Sequence, residues 1–489
     1  MKKGHAFVLL TFVALMSILV LGLQFWFKPA VENELASIVH AYYTAKGAKI
    51  SDTLSVKASP LTRTVVIEPF TLTHPSAGLK EGKIAESKLQ LTVQGLLALS
   101  PLKHLLARSQ GEIPLLDRAE CDLASFFTGA GTVVVQKISV YDARIEAQTF
   151  RELLANPERF ADKRLFTVRE ISLGSSEITS QDKQAVHISL GTTVLSDLTP
   201  NKLGSLRIND LSASDGTKNQ FHVRSLLQEQ IKLFSDEECL ALAGRLSGQQ
   251  SAATLLALFL GEEPWVETTR FSDLTVRVDG SPFTIGTIAF QARPNAQAQS
   301  LEIGGIALAG ALIEEQVGQK LPIPKVMHIH LNLGLAKKRE KIRTFSAGLG
   351  VDELFAFEAQ LDSTVDSFEG LFEKFLTQPI SNLSLRFSDN SLLARAALYA
   401  FGGASAKALL ASKLAPEENA SEAEHIISRK LQSFVERPGS LAIISKTDQT
   451  FTLQKLDSFS TKEILDLFQL EVTEGAKDLD DQITELQKQ

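Results

Sequence analysis

Few side chains in this 489-residue sequence stand at spacings that do chemistry. The clearest pair is His328 and His330, in Val326-Met-His-Ile-His-Leu-Asn-Leu333, two apart in a segment that reads as a strand. Both rings then point to one face. Two imidazoles hold a metal when a third ligand joins them, but no carboxylate or cysteine stands at ligand spacing. The pattern fits better two histidines on the wetter face of a sheet, and the other histidines are isolated. Cys121 and Cys239 show neither metal nor redox spacing. The preferred reading is two small buried hydrophobes, with a single disulfide in an oxidising compartment as the alternative.

Nucleophile and phosphate signatures are missing as well: no G-x-S-x-G elbow, no G-x-x-x-x-G-K-[ST] loop and no H-E-x-x-H. Gly129-Ala130-Gly131 and Gly348-Leu349-Gly350 lack the third glycine of a dinucleotide fingerprint, and each reads as a turn. Asp480-Asp481 reads as a solvated face. No catalytic, cofactor or metal residue is assigned, and the expectation is a protein that is not an enzyme. A triad assembled across a fold leaves no local trace, so an envelope hydrolase stands as the third reading.

The elements around these residues say more. Ala6 to Phe27 carries 22 residues without a charge, and about 20 apolar residues suffice to cross a bilayer core as helix. It ends in Gln24-Phe-Trp-Phe27 before Lys28-Pro29, with no small-residue cleavage pattern, and the aromatic trio suits a membrane interface. The expectation is an uncleaved anchor. Lys2 and Lys3 before the stretch favour a short cytoplasmic tail and a large extracytoplasmic body. A net charge of −7 argues against nucleic acid, whose binders show basic stripes. The sequence has 28 Phe but only 2 Trp and 4 Tyr, which favours apolar cores and grooves over polar recognition surfaces.

After the anchor, Ala30–Lys46 reads as an amphipathic helix with Val31, Leu35, Ile38, Val39 and Tyr42 on one side, lifting the body off the membrane. Strands are expected at Ile50–Ala58, Thr64–Thr73, Ile84–Val93, Ile138–Ile145, Ile171–Ile178, Ala185–Leu195, Gly204–Leu211 and from Phe221, with helices at Leu96–Arg108 and Phe150–Leu154. Turn signals about every ten residues mark an antiparallel meander. Capping patterns at Ser235/Glu238 and Asp366/Glu369 predict helical blocks, and Ser251–Leu260 predicts another. Strands resume at Asp273–Val278, Thr284–Ala292, Leu301–Leu308 and Val326–Leu335. Phe271-Ser-Asp-Leu-Thr-Val-Arg-Val278 is echoed by Ile380-Ser-Asn-Leu-Ser-Leu-Arg-Phe387, apolar on apolar. The C-terminal part predicts helices at Ser391–Phe401, Ala404–Leu414, Ile426–Val435 (capped by Ser421 and Glu424) and Thr461–Leu470, strands at Ser440–Ser445 and Thr450–Leu456, and a charged, fraying tail.

An N-terminal anchor, Ser59-Pro60-Leu61 leading into Thr64-Val-Val-Ile-Glu-Pro-Phe-Thr-Leu72, and the I-S-[VL]-x-x-x-x-I units at Ile138 and Ile171 together resemble the AsmA-like proteins. That family comprises bacterial inner-membrane proteins with large periplasmic, repeated β-groove bodies linked to lipid movement and outer-membrane upkeep. The resemblance covers roughly Met1–Leu211 and carries over no site residue. The chain is short for the family and has helical blocks after Leu226.

The fold expectation is therefore α+β: mostly antiparallel β-sheet with repeated strand units and interspersed helical blocks, plus one N-terminal transmembrane helix. The domains expected are 1–28 (tail and anchor), 29–225 (β-rich lobe), 226–475 (helix-plus-sheet lobe) and 476–489 (charged tail). The function expected is non-catalytic lipid handling or envelope maintenance at the bacterial inner membrane, with the bulk of the chain in the periplasm. No cofactor is expected; the partners are the membrane, lipid and envelope proteins, not nucleic acid. The alternative is an envelope scaffold whose helices cover the sheet completely.

Overall fold

The computed structural model describes residues 26–488 apart from 46, 51–53, 76–78, 130, 156–164, 181–185, 216–218, 234–264, 279–280, 293–297, 311–313, 315–319, 321, 340–341, 365–376, 402–405, 417–419, 447–449 and 457. The fold is α+β, mostly antiparallel strand with helices. Two compact units divide the chain, Met1–Ser235 and Asp236–Gln489. The anchor candidate lies outside the described residues except for Trp26 and Phe27. Among the described residues, no helix is long and apolar enough to cross a membrane.

In the first unit, each strand pairs antiparallel with the next along the chain. The strands are β1 (Lys49–Ile50, resuming as Val56–Ser59), β2 (Thr64–Ile67 and Phe70–His74), β3 (Leu79–Ile84 and Ser87–Leu91), β4 (Glu112–Thr128), β5 (Gly131–Glu146), β6 (Phe166–Leu173 and Ser176–Ser180), β7 (His187–Leu190 and Thr193–Leu198), β8 (Lys202–Ser214) and β9 (Gln220–Lys232). Split strands keep one register: Thr64 pairs with Gln90, and Phe70 with Ile84. The echoed Ile138 and Ile171 units lie on neighbouring strands, with Val140 opposite Ile171. β9 runs straight through the expected boundary at 225/226, because it pairs with β8 from Lys232 to Gln220.

Left-handed residues interrupt the strands. Lys137, Asp142, Asp197, Asp210 and Gln230 hold φ angles between 49° and 56° inside β5, β7, β8 and β9. Pairing keeps its register across each of them, so no residue is inserted relative to the partner strand. Facing Asp210 is Gly191, whose N–H donates to the Asn209 carbonyl at 3.0 Å. A Cβ there would stand 2.6 Å from that oxygen, so the close approach requires glycine.

The predicted N-terminal helix forms as α1 (Lys28–Ala45) and packs along the sheet. Phe27, Val31 and Leu35 are buried against Ala58, Val65, Phe70 and Leu72. The inward aromatic is Tyr43, which meets Phe70 edge-on, while Tyr42 is exposed. Glu32 Oε1 accepts the Ala58 N–H at 2.8 Å, so the helix supplies an acceptor that edge strand β1 would otherwise lack. The expected Leu96–Arg108 helix is two pieces, α2 (Val93–Ala98) and a 3-10 turn at Lys103–Arg108. Together with α3 (Ala147–Ala155) they close one end of the sheet through Leu106, Ile113, Ile145, Phe150 and Leu153.

The second unit repeats the meander: β10 (Val266–Val278), β11 (Ser281–Ala292), β12 (Ala298–Ala309), β13 (Val326–Arg339), β14 (Ile342–Val351), β15 (Phe355–Ser363), β16 (Ile380–Asp389), β17 (Ser440–Ser445) and β18 (Phe468–Thr473). Gly348 and Gly350 are not a turn; they lie within β14 and pair with Asn332 and His330. A Cβ at Gly348 would collide with the Asn332 side chain. The echoed octets open β16 and lie in β10, and the aligned Asp273 and Asn382 both hold φ of 51°. The repeat is thus a repeated left-handed residue, and of the two the pairing register shifts only beside Asn382.

Helices α4 (Leu392–Phe401), α5 (Ala406–Lys413) and α6 (Glu422–Glu436) precede β17, and α7 (Leu453–Leu456) and α8 (Thr461–Leu467) precede β18. The Ser421/Glu424 capping box forms as expected, and Ser460/Glu463 forms another. Three expectations fail here. Thr450–Leu456 is a single bridge at Phe451 followed by α7. Residues 468–470 leave the helix for β18, because Phe468 is buried in the core with Phe451 and Ile380. The charged tail folds as α9 (Leu479–Gln487), whose Leu479 and Ile483 pack on Ala394 and Ala397 of α4. The helices predicted at 235–260 and 366–375 lie outside the described residues.

Candidate functional site

His328 and His330 sit on the exposed side of β13, away from buried Met327 and half-buried Ile329 and Leu331. His330 Nε2 lies 3.3 Å from Asp352 Oδ1, and the Gly305 N–H donates to His330 Nδ1 at 3.3 Å. Among the described residues, no three His, Cys, Asp or Glu side chains form a group able to hold a metal ion. Cys121 is a half-buried free thiol that donates to the Leu123 carbonyl at 3.3 Å. Cys239 lies outside the described residues.

What the strands assemble instead is apolar. In the second unit, Phe271, Ile288, Ile303, Leu331, Leu349, Phe357, Phe387, Leu441 and Val472 lie each directly opposite the next, one from every strand β10–β18. The adjacent row runs Phe290, Leu301, Leu333, Ala347, Ala359, Leu385, Ile443 and Leu470. Side chains alternate across a strand, so the residues between them form a polar face with Ser346, Glu358, Gln360, Ser384 and Arg386. The first unit holds the matching row Ala58, Val65, Leu89, Ala119, Val140, Ile171, Leu195 and Leu206, which ends on Gln228 in β9.

These rows are only partly covered. From Ile288 to Val472 the second-unit row is half-buried except at Leu349, which is 39% exposed. Among the described residues, α1 packs on the edge strand β1 and α2 on β4 in the first unit, and α6 and α8 pack on β18 in the second. Eight inter-strand steps of about 4.8 Å make each nine-strand row roughly 38 Å long. That is more than twice the ~15 Å that one leaflet contributes to a bilayer core. Large exposed apolar patches usually mark interaction sites; these rows hold no nucleophile or acid–base pair.

A second, polar feature was not legible in the sequence. A cleft of about 800 Å³ in the second unit is lined by Asp389, Arg395, Gly439, Gly475, Lys477 and Gln482 among others. Asp389 is 8% exposed. Its Oδ1 accepts the Leu393 N–H at 2.9 Å, capping α4, whereas Oδ2 has no hydrogen-bond partner. Burial pushes this carboxyl above the usual carboxylate range. Arg395 donates to Ser391 Oγ at 2.9 Å and to the Pro322 carbonyl at 2.8 Å, and burial lowers its pKa. Lys477 is tied to Glu485 at 2.7 Å.

A scan against protein-family models finds none that matches this chain, and neither characterised proteins nor solved structures match it.

Proposed function

We propose that this chain is a non-catalytic, inner-membrane-anchored periplasmic protein of bacteria that handles lipid on its apolar sheet faces. The observation that carries the reading is the unbroken apolar row across β10–β18, half-buried but for exposed Leu349. An acyl chain needs apolar contact without directional bonds, which such a row supplies. The charge-free stretch before α1 supports the anchor, and the resemblance of the first part of the chain to the AsmA-like proteins supports the compartment.

The test is a photo-crosslinking pair in the full-length chain in membranes. A benzophenone side chain replaces Leu349 in the row, or Glu358 on the opposite face. Phospholipid adducts at 349 and none at 358 are the expected result. Protein adducts alone at 349 would replace lipid handling with the scaffold reading. The compartment is tested separately by a reporter fused after Gln489, active only outside the cytoplasm.

A further inference from the structure

The first unit exposes large apolar side chains at one end of its sheet, from four separate elements. Leu61 is 64% exposed, Val93 60%, Trp26 58% and Leu105 48%. Leu61 and Val93 are the most exposed of the large hydrophobics described. Exposed singly, such residues need no explanation. These four are not scattered. Trp26 precedes Phe27, Leu61 follows Ala58 in the β1–β2 turn, and Val93 follows Leu91 at the end of β3. Leu105 follows Leu102 in the 3-10 turn. Phe27, Ala58 and Leu91 share one buried cluster, with Leu102 packed against it.

Polar contacts fix the same juxtaposition. Glu32 of α1 holds the Ala58 N–H at 2.8 Å, and Glu34 of α1 takes Lys103 Nζ at 2.8 Å. The Leu91 N–H donates to the Arg63 carbonyl at 2.8 Å across the turn. Lys28, Arg63 and Lys103 around this end each face a carboxylate, of Glu32, Asp117 and Glu34. These three cations are thus offset, and the apolar tips favour transfer toward an apolar phase. The 22-residue uncharged stretch Ala6–Phe27 ends at this same place.

We propose that this end of the first unit is a membrane-contact surface, with Trp26, Leu61, Val93 and Leu105 seated in the bilayer interface beside the point where the chain leaves it. Trp suits the headgroup level, and short apolar side chains from turns can enter the acyl boundary without burying unpaired backbone. The proposal rests on the reading of Ala6–Phe27 as an anchor. Its consequence is a fixed posture: the edge strand β1, α1 and the closed end of the sheet meet the membrane, and the loops at the far end point away.

The test places single cysteines, in a full-length background with Cys121 and Cys239 replaced by Ser, at Leu61, Val93 and Leu105. Val186 is 38% exposed just before β7, at the opposite end of the unit, and serves as control. Ala14 reports the anchor. Each carries an environment-sensitive fluorophore, and the protein is reconstituted in phosphatidylethanolamine/phosphatidylglycerol vesicles with shallow or deep nitroxide lipids. The expected result is blue-shifted emission and shallow quenching at 61, 93 and 105, water-like emission at 186, and deep quenching at 14. Water-like emission at 61, 93 and 105 with deep quenching at 14 overturns the contact surface and leaves the anchor standing. Loss of deep quenching at 14 removes the anchor, and the three surface labels then decide the contact by themselves. Quenching at 186 equal to that at 61 overturns it as non-specific insertion.

Discussion

The two units reach the same apolar row by different routes. In the second unit, β13, β14 and β15 alternate almost without interruption, so that Leu331, Leu349 and Phe357 align by simple period-two register. In the first, the left-handed residues at Lys137, Asp142, Asp197, Asp210 and Gln230 kink strands whose pairing register does not shift, as where Cys121 pairs with Ile138 and Leu123 with Gln136 on either side of Lys137. Apolar residues then recur three apart across a kink, as at Val135 and Ile138. A one-residue slip would move a strand's apolar set to the other face. The partner strands keep step across each kink, so the face survives. Continuity of the apolar face is what both sequences preserve.

The largest expected effect tests whether the units are energetically separate. Ile380 is fully buried in the second unit's core and Ile145 is nearly so in the first. Truncating either to Ala removes buried methylenes and leaves a cavity, costing about 2–5 kcal/mol. In amide hydrogen exchange on the full chain, Ile380→Ala is expected to lower protection in β10–β18 and leave β1–β9 unchanged, and Ile145→Ala the reverse. Loss of protection in both units from either variant would make them one cooperative body.

Next in size is the left-handed kink at Asp210, faced by Gly191. Gly191→Val drives a β-branched side chain into the Asn209 carbonyl, and overpacking of this kind costs about 1–3 kcal/mol. At Gly350 in β14 the nearest atom to an added Cβ is 3.9 Å away. There Gly350→Ala is expected to stabilise by about 0.5 kcal/mol through reduced backbone freedom. Equal costs at the two sites, read from midpoints of thermal unfolding, would erase the distinction between the two routes.

Asp389 offers a pH test confined to the second unit. Its folded pKa is raised by burial, so the ionised form is disfavoured in the native state at neutral pH. That penalty disappears in acid, once the group is protonated both folded and unfolded. Asp389→Asn keeps an acceptor for the Leu393 N–H and removes the charge. It is expected to raise the melting temperature at pH 7, with the gain shrinking as pH falls through the raised pKa toward the ordinary carboxylate range. A gain independent of pH would show that charge burial is not its cause.

How much of this was readable follows the same division. Ser440–Ser445 was placed to the residue, and the Ser421/Glu424 box by its capping pattern, because both signals are local. β4 was missed: Ala119, Cys121 and Ala124 on its apolar side are too small to show alternation against Leu115 and Leu123. β14 was missed because Gly348 and Gly350 read as a turn, when each sits opposite a side chain of β13. The Asp389 cleft could not be read at all, since it joins residues from β16, α4 and α9 whose proximity is tertiary. The echo of Phe271–Val278 in Ile380–Phe387 is legible as a pattern; its meaning, a left-handed residue at the third place, needs the backbone.

That left-handed motif supports the finest test. Asp197, Asp210 and Asp273 share the sequence pattern of a polar residue, Asp, then Leu, and each Asp holds a left-handed φ. For L-residues this region costs roughly 1–2 kcal/mol, less for Asp and Asn, and nothing comparable for Gly. Asp210→Gly should therefore be neutral or stabilising by up to about 1 kcal/mol, because it relieves the backbone while keeping the kink. Asp210→Val should destabilise by about 1–2 kcal/mol, since a β-branched residue is least tolerant there. If the kink instead depended on the carboxylate, Gly and Val would lose stability alike. The two substitutions thus separate a conformational requirement from a chemical one at a position where Asp, Asn, Lys and Gln all occur in this chain with the same backbone sign.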